Sequence, residues 1–278
     1  MASLREIKDR VNSVRGTLKI TSAMKLVASS KLHKAQKAIE GLRPYADSLK
    51  EILSEVEAGS VQLSQNEPQD CVAVIAVSSN SSLCGAFNVN VIKSAMAEAG
   101  LHARVKFFPI GKKMLEAVRK SGYDYEDLQQ DFISHPSYER NAAFAHSMIE
   151  RFQAGEFSKV VLVFNAFVSA SVQRPHSEQF LPYQWAEEVE KQDHFQKYIY
   201  EPGADQIATG LLPQLLCLQF HAAILDSVAA EQAARTIAMQ TATDNAEKLL
   251  AELTLEYNKG RQQKITNEIL DLVGGSLQ

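Results

Sequence analysis

The sequence is poor in the residues that carry out chemistry. Its three cysteines, Cys71, Cys84 and Cys217, are odd in number and far apart, which excludes a disulfide framework and a zinc-ligand spacing. The seven histidines (33, 102, 135, 146, 176, 194 and 221) stand singly, without ligand spacing, and read as surface or packing residues. The one Gly-Lys pair, Gly111-Lys112, has Lys106 where a phosphate loop needs a glycine. Neither a G-x-S-x-G nucleophile elbow nor an H-E-x-x-H zinc pair occurs. No uninterrupted run of 18 apolar residues exists, so no helix is expected to cross a bilayer. The amino-terminal MASLREIKDR lacks the apolar centre of a secretory signal, and Glu6 and Asp9 speak against a transit peptide. The expectation is a reduced, intracellular compartment.

What is present is unevenly spread. The 278 residues sum to a net charge of −4. Residues 1–50 nevertheless hold eleven Lys and Arg against Glu6, Asp9, Glu40 and Asp47, a charge of +7, and the remainder carries −11. Such a split assigns the first segment a different neighbour from the body.

That segment is patterned as one long helix. Leu4, Ile7, Val11, Val14, Leu18, Thr21, Lys25 and Ala28 begin a 3–4 alternation that runs to Val56 and is broken only by Thr21 and Lys25. This is a coiled-coil seam, in a rod of roughly 80 Å. Pro44 is placed to kink it, and Gly59-Ser60 to stop it. A second rod of roughly 90 Å follows Leu211, Leu215, Leu218, Ala222 and Leu225 to Tyr257, with breaks at Gln232, Thr236 and Thr243. Its pattern resumes at Ile265, Ile269 and Leu272 and ends at Gly274-Gly275.

Between the rods, Val72–Val77 is a continuous apolar run, as a buried strand requires. Helices are expected near 90–99, 112–120 and 138–154, strands near 104–110 and 160–170, and a further strand over 172–182. Alternation of this kind gives a parallel-rich α/β layer. The economical arrangement is a long antiparallel two-helix coiled coil formed by the N- and C-terminal helices, with an inserted α/β domain. The limits are 1–59, 70–190 and 205–278.

Two local features leave readings open. Ser78–Gly85 follows a strand, where α/β sheets bind ligands. Either Cys84 is a nucleophile there, or the segment is a polar turn that satisfies backbone groups. The basic rod suits nucleic-acid phosphates, a solvated face or acidic protein loops, although no aromatic residue precedes Tyr45.

The segments Ile7-Lys8-Asp9-Arg10-Val11 and Lys19–Ala28 (KITSAMKLVA) resemble the N-terminal signature of the gamma subunits of F-type ATP synthases. Ala233-Ala234-Arg235, Ala242–Ala246, Arg261-Gln262, Ile265–Ile269 and Gly274-Gly275 are similar to the C-terminal pattern of the same family, and Leu83–Asn88 and Tyr200-Glu201-Pro202 add to it. The resemblance spans essentially the whole chain. There are departures: Asn80-Ser81-Ser82 stands where the family reads Asp-Arg-Gly, Ala86 replaces a glycine, Ala230 a serine and Thr236 a methionine.

The resemblance implies an α/β fold in which a Rossmann-like domain is inserted into the coiled coil. It implies a non-catalytic central rotor shaft, with no cofactor and no metal. The shaft turns inside three alpha and three beta subunits and reaches an epsilon subunit and the membrane c-ring, without nucleic acid and touching the membrane only through the complex. Lys19, Met24 and Lys25 would meet the acidic helix-turn-helix of beta. Arg261, Gln262 and Thr266 would meet a beta catch loop, and Tyr200, Glu201 and Pro202 would form the foot towards epsilon and the c-ring. The expected location is the cytoplasmic face of a bacterial inner membrane, with the mitochondrial matrix face as the alternative. A coiled-coil scaffold or nucleic-acid-binding protein is the rival reading.

Overall fold

The computed structural model describes residues 3–55, 63, 67, 69–183, 201 and 203–275. Two long helices, α1 (Leu4–Glu55) and α5 (Ala204–Gly275), flank five strands and three shorter helices. β1 (Val72–Val77), β2 (Val105–Ile110), β3 (Asp124–Tyr125), β4 (Lys159–Phe167) and β5 (Gln173–Leu181) alternate with α2 (Phe87–Ala99), α3 (Lys112–Ser121) and α4 (Tyr138–Gln153).

α1 starts on a capping box: the Ser3 backbone N–H donates to Glu6 Oε2 (2.9 Å) and the Glu6 N–H to Ser3 Oγ (3.2 Å). The helix continues through Pro44. Gly59 and Ser60, the expected stop, lie outside the described residues. α5 runs to Gly275, at the expected glycine pair.

The sheet has the order β3-β2-β1-β4-β5. β1 pairs in parallel with β2 and β4, β2 in parallel with β3, and β4 antiparallel with β5. The two-residue β3 was not expected, because a strand so short carries no period. The strand expected to reach residue 170 ends at Phe167, where Val168–Val172 turns the chain into β5.

Successive β1 side chains point to opposite faces, and both faces are covered. Ala73, Ile75 and Val77 join Phe108, Leu162, α4 and the middle of α5 in one core. Val72, Val74 and Ala76 join Phe107, Val163, α2 and α3 in the other. α5 therefore passes through a core here, and Leu212, Leu216, Phe220 and Ile224 are all buried. This accounts for a window of α5 with a mean hydropathy of 1.4, apolar and long enough to cross a membrane, although no uninterrupted apolar run exists. Within the protein 56% of that window is buried, as in the core helix of a folded domain.

The chain forms two compact units, Met1–Ser29 with Arg235–Gln278, and Ser30–Ala234. The divisions fall inside α1 and α5 rather than at the ends of the helices. Ala35 of α1 and Leu212–Ala229 of α5 belong to the core of the sheet, so that stretch of both helices is part of the α/β unit.

Candidate functional site

In the second unit, the strand order places the topological switch between β1 and β4, where an α/β sheet ordinarily takes its ligand. Here the protein fills that position itself. Cys84 and Phe87 are buried against Ala230, with Phe167 and Ala234 beside them. The N-terminus of α3, a natural phosphate site, is already capped. The Lys112 N–H donates to Asn80 Oδ1 (3.1 Å), the Lys113 N–H to the Ser79 carbonyl (3.2 Å) and the Met114 N–H to Ser78 Oγ (2.7 Å). A side chain at Gly111 would collide with the Ser78 carbonyl.

The nucleophile reading of Cys84 fails on burial. The thiol is 2% exposed and accepts a bond from Asn88 Nδ2 (3.2 Å). Ser78–Gly85 is the polar turn, tied to the next loop by Asn80 Nδ2, which donates to Asp131 Oδ1 (3.0 Å). Partial burial opposes ionisation of Asp131. Bonds from Ser134, Ile133 and Asn80 outweigh it and hold the carboxyl down at about 2. His221 is packed: Asn141 donates its amide to His221 Nδ1 (2.8 Å), and Tyr138 meets the ring edge-on.

The candidate contact residues lie in the first unit. The N-terminal part of α1 pairs antiparallel with the C-terminal part of α5. Thr243 Oγ1 donates to Thr21 Oγ1 (2.9 Å), and a Cβ on Gly260 would lie 3.1 Å from the Leu4 side chain. Seventeen residues separate the two levels on each helix, so one register holds throughout. Ile7, Val11, Thr21 and Ala28 are buried against this seam, as are Met239, Thr243, Ala246 and Leu253. Thr21 and Thr243, each an interruption of the apolar pattern, are partners.

Lys19 is exposed, and Met24 and Lys25 are half-buried, a few residues beyond the threonine pair. Arg261, Gln262 and Thr266 are all exposed, and Thr266 Oγ1 bonds to the Gln262 carbonyl of its own helix (2.9 Å). Eighteen residues of α5 separate Arg261 from Thr243, roughly 27 Å along the axis. The two groups therefore form two bands rather than one cluster. Among the described residues, none of the eleven cations of α1 forms an ion pair.

The expected resumption of the seam at Ile265 and Ile269 is corrected. They are 47% and 55% exposed, and they follow Gly260, which lies against Leu4, the first residue of α1. Exposed apolar residues that the heptad reading passed over flank both bands. Ile20, Leu26 and Val27 lie beside the first band, and Leu255 and Leu270 beside the second. Their signal was their position, apolar yet off the seam. Of the expected foot, Glu201 is exposed, and Tyr200 and Pro202 lie outside the described residues.

The chain matches the ATP synthase family over residues 3–277. It is 44% identical to the ATP synthase gamma chain of Bacteroides thetaiotaomicron, with all of both chains covered. It is 45% identical to that of Bacteroides fragilis, again over the whole of both chains. The Flavobacterium johnsoniae gamma chain is 41% identical, with 99% of this chain and 98% of the relative covered. Among solved structures it is similar to a chain of the Euglena gracilis mitochondrial ATP synthase OSCP/F1/c-ring assembly (TM-score 0.64, 18% identity, 99% of this chain and 93% of that one). It is also similar to a chain of the Tetrahymena thermophila mitochondrial ATP synthase central stalk and c-ring (TM-score 0.57, 21% identity, 80% and 99% covered).

Proposed function

This chain belongs to the gamma-chain family of ATP synthases, and from that membership we propose that it works as the central stalk, by presenting one asymmetric surface to repeated neighbours. The observation that carries the proposal is the surface of the first unit, where large apolar side chains stand exposed on paired helices beside unpaired cations. A solvated coiled coil has no use for an exposed Leu26, Val27 or Leu255, whereas a shaft inside a protein ring buries them.

The mechanism follows from symmetry. A single rod inside three alpha and three beta subunits shows each beta a different face. Each beta is held in whichever conformation gains most from that face, and turning the rod passes the bias onward. The rod acts only through differences in contact free energy between beta states. Lys19, Met24 and Lys25 meet the acidic helix-turn-helix of beta, where the unpaired cations find their partners. Arg261, Gln262 and Thr266 meet a beta catch loop further along the rod. Tyr200, Glu201 and Pro202 form the foot towards epsilon and the c-ring. Nucleotide chemistry belongs to the neighbouring subunits, in keeping with the self-capped α3. The complex sits peripherally on the cytoplasmic face of a bacterial inner membrane, and bacterial gamma chains are among the relatives.

Purification of the tagged chain in moderate salt tests this reading. Stoichiometric alpha and beta, three of each per copy, are expected. Recovery with nucleic acid and without those subunits overturns it.

A further inference from the structure

A cleft of about 300 Å³ in the second unit, walled by α1, β5 and α5, has no part in the stalk reading. Its floor is apolar, from Leu215 and Leu218, and Phe164 and Tyr183 supply aromatic walls. Two carboxylates line it, Glu178 from β5 and Asp226 from α5.

The two acids differ in their company. Glu178 Oε1 accepts from Gln219 Nε2 (3.4 Å), and its Oε2 lies 3.4 Å from His176 Nε2. Asp226 has neither hydrogen bond nor ion pair among the described residues. Burial pushes its carboxyl up, Glu178 adds to this, and Arg43 and His176 act against it through space. Lys50 of α1 also lines the cleft, and pairs with neither acid.

A half-buried carboxylate without a partner is costly, and a cation seated beside it removes that cost. An anion placed between Glu178 and Asp226 is repelled, and a neutral apolar molecule leaves Asp226 as unsatisfied as before. Aromatic walls favour a cation, and the apolar floor suits a hydrocarbon stem. We propose that this cleft binds a cationic group on an apolar stem, an alkylammonium or alkylguanidinium, with its charge between Glu178 and Asp226. Two sources share that chemistry, a soluble amine and a lysine or arginine of a neighbouring protein. The site is independent of the stalk reading.

Calorimetric titration of the full chain with hexylamine tests it. Saturable binding is expected, weakened at least about tenfold in Asp226→Asn and in Glu178→Gln. Lys50→Ala, which removes a competing cation, should bind at least as tightly. Hexanol and hexanoate should not bind. Absence of saturation overturns the proposal, and so does hexanol binding as well as hexylamine. Wild-type affinity in both carboxylate variants, each with an unchanged circular-dichroism spectrum, does the same. Repeating the titration on the assembled complex separates the sources, because loss of binding assigns the cleft to a neighbour's basic side chain and retention to a soluble amine.

Discussion

Asn80, one of the departures from the family resemblance, uses both of its amide atoms. Oδ1 accepts the Lys112 N–H, as an aspartate would, but Nδ2 donates to Asp131, which no carboxylate can do. Asp131 is held at about 2, so its contribution to stability is complete above about pH 4 and is lost as pH falls through 2. Asn80→Asp reverses the sign. Two facing carboxylates force one to keep a proton, which raises a folded-state pKa. The variant should lose stability relative to wild type as pH rises through about 4 to 6. Denaturant midpoints measured from pH 2 to 7 check this, and parallel curves for the two proteins contradict it.

At the scale of the helix pair, Thr21 and Thr243 set the register. Thr21 Oγ1 donates to the Leu18 carbonyl of its own helix (3.1 Å) and accepts from Thr243 Oγ1, so a slipped pairing takes from the buried Thr243 hydroxyl the acceptor it has here. Replacing one by valine should cost about 1–2 kcal/mol, and replacing both should come close to neutral. A double-mutant cycle on thermal stability measures the coupling, and additive losses contradict it. The seam itself was legible in the sequence, because a 3–4 period is local. The partnership of Thr21 and Thr243 was not, because it joins residues 222 apart. The main strands and helices of the α/β unit were legible for the same reason as the seam. β3 was too short to show. Ile265 and Ile269 followed the period yet stand about half exposed, since a heptad records an apolar stripe and not what covers it. Of the candidate site, the residue types were readable, whereas their separation into two bands required the register.

At the scale of the whole chain, the charge split gains a cause. The +7 of residues 1–50 lies on α1, where no cation is paired among the described residues, so its counter-charges are sought in other subunits. The chain is a gamma subunit, and turning it would be its function. The most direct measurement fixes alpha and beta to a surface, attaches a probe to this chain and follows its orientation during ATP hydrolysis. Rotation in one direction, with three pauses per turn, is the predicted result. Sustained hydrolysis by the assembled complex with a stationary probe would contradict the account.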